Sequence, residues 1–195
     1  MTSPRQQILD TATRLFFTQG YLETGINQLI AESEVARRTF YHHFPSKEDV
    51  AAEYIERASA QWLGALRSTA ESRRSAAGVV RAIFDLAREI AQATSYRGCA
   101  MLNMAAEFAQ ASSAMRARVR RAKEAQGALV VELLAARGVP TATAQQVDVL
   151  LEGAIASASA HLDMQPIRAA MQAALRLIDD DNSEPERPAR STSHP

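Results

Sequence analysis

The stretch SEVARRTFYHHFPSKEDV, Ser33 to Val50, sets two arginines, a threonine, two aromatic rings and two histidines side by side. It then stops at Phe44-Pro45 and restarts with charge at Ser46. A segment this rich in hydrogen-bonding side chains is a poor core builder and a good reader of another surface. Its punctuation predicts its local structure. Pro45 pushes Phe44 out of the helical region, so a short helix over roughly 36–42 ends there. Ser46 supplies a side-chain cap for a new helix, and Asp49 puts an acid in its first turn, where the helix dipole favours it.

Upstream, Ile8, Ala12, Leu15 and Phe16 repeat at helical spacing and predict a helix over 4–19. Ser3 can cap it, Pro4 suits its first turn, and Gly20 ends it. A shorter helix opens at Thr24 or Gly25, with Ile26, Leu29 and Ile30 on one face, and breaks near Ser33–Val35. Downstream, the Ser46 helix is long, running through Tyr54, Ile55, Trp62 and Leu66. Further helices are expected over about 77–94, 100–110, 113–137, 142–161 and 166–178. No strand-like alternation or internal repeat is legible. The polar, proline-rich remainder, 179–195, is expected to be a disordered tail.

Composition agrees with a soluble, mostly helical chain: 195 residues, 47% hydrophobic, with 8 Gly and 7 Pro. No segment qualifies as a membrane span, and the start lacks the pattern of a secretory signal. A lone cysteine, Cys99, forbids an internal disulfide and is expected to be buried; a cytoplasmic location is expected. The formal net charge is zero, and residues 1–50 hold five basic against six acidic side chains. Bulk charge therefore gives no support for a nucleic-acid partner. Paired carboxylates, metal-spaced histidines, phosphate-binding glycine loops and catalytic triads are not legible, so neither an enzyme nor a cofactor is expected.

Three short helices followed by a long one, with a tight turn joining the second and third, read as a helix-turn-helix, whose last helix enters the DNA major groove. Arg37 and Arg38 fall in its first turn, where they can reach guanine edges or phosphates. Thr39, Tyr41, His42 and His43 add donors. Phe40 and Phe44, four apart, plug the helix into the core. Lys47 and the amides starting the next helix can neutralise a phosphate.

The segment from Thr24 to Val50 resembles the signature of the TetR family of bacterial transcriptional regulators. Thr24, Ile26, Leu29, Val35, Thr39, Phe40, Tyr41, His43, Phe44, Lys47 and Glu48 carry the match. The resemblance implies an all-α chain: an N-terminal three-helix DNA-binding domain (1–48) and a C-terminal helical ligand-binding and dimerisation domain (49–178). It implies contact with double-stranded DNA by Thr24, Asn27, Arg37, Arg38, Thr39, Tyr41, His42, His43 and Lys47. Four positions depart from the signature. Glu34 stands where the family has a turn glycine, Ala36 replaces a serine cap, Arg38 replaces a small residue, and Gly25 replaces a hydroxyl.

A homodimer is implied through the helices at about 142–161 and 166–178. Val147, Leu150, Leu151, Ala154, Ile155 and Ala158 form an apolar stripe there, and Gly153, Ala156, Ser157 and Ala160 permit close approach. The segment Tyr96–Ala109 resembles one TetR subgroup. Met101, Asn103, Met104, Glu107 and Phe108, with Trp62, Phe84 and Leu133, are expected to line a site for a small apolar or amphipathic effector. The basic run Arg116, Arg118, Arg120, Arg121 and Lys123 is expected to be a solvated face. The reading is a ligand-responsive repressor on a palindromic operator. The alternatives are an activator of the same fold and a helical ligand-binding protein without DNA activity.

Overall fold

The computed structural model describes residues 2–108 and 114–181. These form nine helices and no strand: α1 (Pro4–Thr18), α2 (Ile26–Glu32), α3 (Arg37–His43), α4 (Lys47–Glu71), α5 (Ala76–Ala93), α6 (Ala100–Glu107), α7 (Ala114–Ala135), α8 (Thr141–His161) and α9 (Gln165–Asp181). Three helix starts carry a serine side-chain cap. Ser3 Oγ accepts the Gln6 amide at 3.3 Å, Ser46 Oγ the Asp49 amide at 3.1 Å and Ser75 Oγ the Gly78 amide at 3.1 Å. Helix α9 runs on to Asp181, so the first three residues assigned to the tail are helical. Its acidic end adds no apolar surface, and the tail signal of composition began too early. Residues 182–195 lie outside the described residues.

Two apolar clusters organise the helices. One joins α1–α3 to the first half of α4 through Ile8, Phe16, Leu29, Phe40, Phe44, Val50 and Tyr54, and it also takes Met101 and Met104 from α6 and Met115 and Val119 from α7. The other gathers the end of α4 with α5, α7, α8 and α9 around Leu66, Ile83, Phe84, Val130, Val147, Leu151, Ile167 and Ile178. Packing thus crosses the division expected at residue 48. At about 1.5 Å per residue, α4 is long enough to serve both clusters. The stripe Val147, Leu151, Ala154 and Ala158 faces the core of its own chain. The small residues Gly153, Ala156 and Ala160 face outward instead.

The basic run on α7 is not one solvated face. Arg116 donates to the Ala105 carbonyl at 3.0 Å and so caps the open end of α6, while Lys123 turns inward to Gln126 and Glu152. Arg118 pairs with Glu56 on α4. Among the described residues, no helix is long and apolar enough to cross a membrane.

The turn between α2 and α3 carries two unfavourable residues. Glu34 adopts the left-handed region at φ 56°, and Ala36 starts α3 with no side-chain cap. A left-handed non-glycine residue costs about 1–2 kcal/mol, and a missing cap about 1 kcal/mol. Glu34→Gly, discounted for the greater freedom of glycine in the unfolded chain, is expected to stabilise by about 0.5–1 kcal/mol. Ala36→Ser is expected to add about 1 kcal/mol. Urea unfolding midpoints check both. A lower midpoint for either variant would mean that the present side chain makes a compensating contact.

Candidate nucleic-acid interface and ligand cavity

Helix α3 is held by one face. Phe40 and Phe44 are buried with ring centroids 6.4 Å apart, and Tyr41 stands edge-on to Phe40 at 5.6 Å. The other face is open. Arg37, Arg38, Tyr41 and His42 are exposed, and Thr39 and His43 are half-buried. Arg37 Nη2 donates to Asn27 Oδ1 at 2.8 Å, which brings the starts of α2 and α3 together. The His42 and His43 rings lie 5.2 Å apart. Asn27 is thus tied to the start of α3, and Arg37, Arg38, Tyr41 and His42 are open to solvent there.

Thr24 and Lys47 lie elsewhere than the sequence suggests. Thr24 is fully buried and its hydroxyl donates to the Gly20 carbonyl at 2.6 Å. Lys47 Nζ donates to the carbonyls of Tyr21 at 2.9 Å and Thr24 at 3.0 Å, and lies 4.1 Å from the centre of the Tyr21 ring. Desolvation pulls the Lys47 ammonium below its usual range, with the Glu107 carboxylate opposing. The reason is local: the loop after α1 leaves carbonyls without helical amide partners, and an ammonium is a good substitute. The start of α4 is similarly occupied, since Ser46 takes the Asp49 amide and Glu48 and Asp49 add negative charge.

Between α1, α4, α5, α7 and α8 lies a mostly apolar cavity of about 470 Å³, within the range of small-molecule sites. Of the residues expected at an effector site, Trp62 and Met101 lie in its wall. The other expected residues do not. Phe84 is fully buried in the C-terminal cluster, and Leu133 packs there too. Asn103 Nδ2 donates to the Arg97 carbonyl at 3.0 Å. Met104 is buried in the N-terminal cluster. Glu107 Oε2 accepts the Leu22 amide at 2.5 Å, and Phe108 meets the Tyr21 ring at 4.8 Å. Met104, Glu107 and Phe108 thus meet the DNA-binding half, while Asn103 ties α6 to the loop before it. A helix with methionines and two polar groups looks the same from sequence whether it meets a ligand or another helix.

The cavity takes its walls from residues the sequence did not single out. Thr13 and Phe17 come from α1, Tyr54 from α4, Thr94 from the end of α5, Lys123 and Gln126 from α7. Thr13 and Phe17 are one turn apart beside the apolar stripe of α1, a spacing that could have flagged them. Cys99 is half-buried, packs against the edge of the N-terminal cluster and lines the cavity. Gln126 is 2% exposed. Its Oε1 accepts Trp62 Nε1 at 2.7 Å and Lys123 Nζ at 2.9 Å, and its Nε2 donates to Asp148 at 2.9 Å and Glu152 at 2.6 Å. Burial raises the Asp148 carboxyl above its usual range, against the hydrogen bond from Gln126.

Residues 8–54 match the family model of bacterial regulatory proteins of the tetR family, and residues 75–173 match the C-terminal domain of LmrA/YxaF-like transcriptional regulators. The chain belongs to the TetR family. Its relatives are transcriptional regulators, not enzymes. The regulator LmrA of Bacillus subtilis (strain 168) is 50% identical over 52 residues, 26% of this chain and 28% of that protein. TcmR of Streptomyces glaucescens is 31% identical over 138 residues, 69% of this chain and 61% of that protein. A TetR-family regulator from Streptomyces coelicolor superposes with a TM-score of 0.78 at 29% identity, covering 91% of this chain and 95% of that one. The chain thus spans under a third of LmrA and nearly all of the TetR regulator of known structure. The expected all-α fold, with an N-terminal helix-turn-helix and a helical C-terminal domain, is the fold of these TetR proteins.

Gln126 is the point where the polar groups under this TetR cavity converge. Gln126→Leu leaves the Trp62 N–H and two carboxylates short of partners. It is expected to destabilise by about 2–4 kcal/mol in urea unfolding. A loss below about 1 kcal/mol would show that the network rearranges without it.

Proposed function

We propose that this TetR protein is a cytoplasmic, ligand-responsive repressor that binds a palindromic operator as a homodimer. The observation that carries the proposal is the shared wall of the cavity. Thr13 and Phe17 belong to α1 of the DNA-binding half, while Trp62, Ile90, Lys123 and Ile155 belong to the helices behind it. A small apolar or amphipathic effector seated there touches both halves. If it binds better to a conformation with a different separation of the two recognition helices, it shifts the population away from the DNA-competent one.

The DNA-reading residues of this proposal are Arg37, Arg38, Thr39, Tyr41, His42 and His43 on α3, with Asn27 from α2. Thr24 and Lys47 support the loop beneath them. In a dimer, two α3 helices would occupy successive major grooves about 34 Å apart. Support for the dimer comes from α8, where Val149 is 69% exposed and Gly153, Ala156 and Ala160 continue the same outward side. A stripe of small residues lets helices approach closely. DhaR of Mycobacterium sp. (strain GP1), 26% identical over 117 residues, is named a transcriptional repressor, which favours repression over activation.

Selection of duplexes from a random DNA pool is expected to enrich a palindrome. Tyr41→Ala is expected to weaken binding to it at least about tenfold, and Arg38→Ala to lower the salt dependence by about one phosphate contact. No enrichment by a folded dimer would overturn the DNA-binding reading.

Ala156→Arg is expected to turn the dimer into a monomer in sedimentation equilibrium, with helix content kept. An unchanged dimer would place the interface elsewhere.

A further inference from the structure

Three residues of the cavity wall are fully buried: Tyr54, Met101 and Gln126. Gln126 has all its hydrogen-bonding positions occupied by protein groups. Tyr54 differs. It is 2% exposed, yet its hydroxyl makes no hydrogen bond among the described residues. A phenol that packing removes from bulk water ordinarily finds a partner. Its ring is fixed edge-on to Phe16 at 5.6 Å, the residue lines the cavity, and its hydroxyl is not among the fully enclosed unpaired atoms, so it keeps access to that space.

Of the other polar side chains of the wall, Ser59 and Gln61 make no hydrogen bond among the described residues but are half-buried and exposed, so water serves them; the rest are engaged. The hydroxyl of Thr13 donates to Leu9 at 2.7 Å, and that of Thr94 to Ile90 at 2.7 Å. Trp62 Nε1 is held by Gln126. The Lys123 ammonium is matched by Glu152 and Gln126, so the cavity presents no unbalanced cation for an anionic ligand. Burial, aided by the nearby Cys99 and Glu107, raises the phenol above its ordinary range. It therefore stays protonated, and its unmet need is for an acceptor.

We propose that Tyr54 is the polar anchor of this cavity and that its O–H donates a hydrogen bond to the carbonyl oxygen of a neutral, otherwise apolar ligand. The assignment rests on the reading of the cavity as the effector site. It selects among ligands of similar shape. A ketone gains the bond, a hydrocarbon gains only the apolar contact, and a carboxylate meets no free cation.

Two probes of nearly equal shape test this: 2-acetylnaphthalene, and 2-isopropenylnaphthalene, in which a methylene group replaces the carbonyl oxygen. Trp62 is the single tryptophan of the chain and lines the cavity, so quenching of its emission reports entry of the ketone. The hydrocarbon is measured by displacing the ketone. Tyr54→Phe keeps the ring and removes the hydroxyl. It is expected to weaken ketone binding about five- to tenfold and to leave hydrocarbon binding unchanged. Ala58→Phe/Ala122→Phe crowds the cavity from two walls without adding a tryptophan and is expected to block both probes. If Tyr54→Phe changes both affinities alike, or neither, while Ala58→Phe/Ala122→Phe still blocks, the anchor is overturned and the cavity reading stands. If neither probe binds the unmodified protein, or Ala58→Phe/Ala122→Phe fails to block, the cavity reading falls and the anchor with it.

Discussion

The Lys47 ammonium pins the loop between α1 and α2 to the start of α4. Two backbone carbonyls and the face of Tyr21 surround it. Hydrogen bonds to a charged group are worth about 1.5–3 kcal/mol each when shielded from water. On the far side of the same loop, Glu107 accepts the Leu22 amide. One loop thus has its carbonyls served by a cation from α4 and an amide served by an anion from α6. Gly20 makes this possible. It lies at φ +100°, and a Cβ there would stand 2.8 Å from the Glu107 carboxylate. Any other residue would be strained in backbone and would push that carboxylate away.

The same loop is one end of an aromatic series. Phe108 meets Tyr21, Tyr21 meets Phe16 at 5.5 Å, and Phe16 meets Tyr54 at the wall of the cavity. A packed core does not deform continuously, so a displaced ring moves its neighbour or stops the motion. Arg97 adds a polar tie, donating to the Phe17 carbonyl at 2.7 Å while the Phe17 side chain lines the cavity. Under the proposed function, the effector does not depend on α4 alone as a lever. It bears on α1 directly, and α1 carries the loop that Lys47 and Glu107 clasp.

How much of this was legible in the sequence depends on the range of the interaction. Caps and breakers act within four residues, so Ser3, Gly20, Phe44-Pro45 and Ser46 could be read as they stand. Phe40 and Phe44 could be read too, because a spacing of four has one meaning on a helix. Lys47 could not, since its partners are 26 and 23 residues away and are backbone atoms without sequence identity. Helix α6 misled for a related reason. Its pattern of Met101, Met104 and Phe108 marks a buried face but not what buries it, and the N-terminal bundle took most of it. Gln126 was passed over because a glutamine on a polar helix looks exposed. Only the arrival of Trp62, Asp148 and Glu152 from two other helices makes it an interior residue.

Net charge was the weakest guide, and pairing shows why. Within the first 50 residues, Glu32 is tied to Arg14 at 2.6 Å, and Asp10 to Arg57 of α4 at 2.6 Å. Such surface pairs add little stability, about 0–1 kcal/mol each. They do cancel charge locally, on α1 and α2. Arg37 is held by the neutral Asn27 rather than by a carboxylate, so its charge is not cancelled there. A chain with equal numbers of acids and bases thereby presents a basic face on α3. An electrostatic surface is set by which charges find partners, and a count over the chain averages that information away.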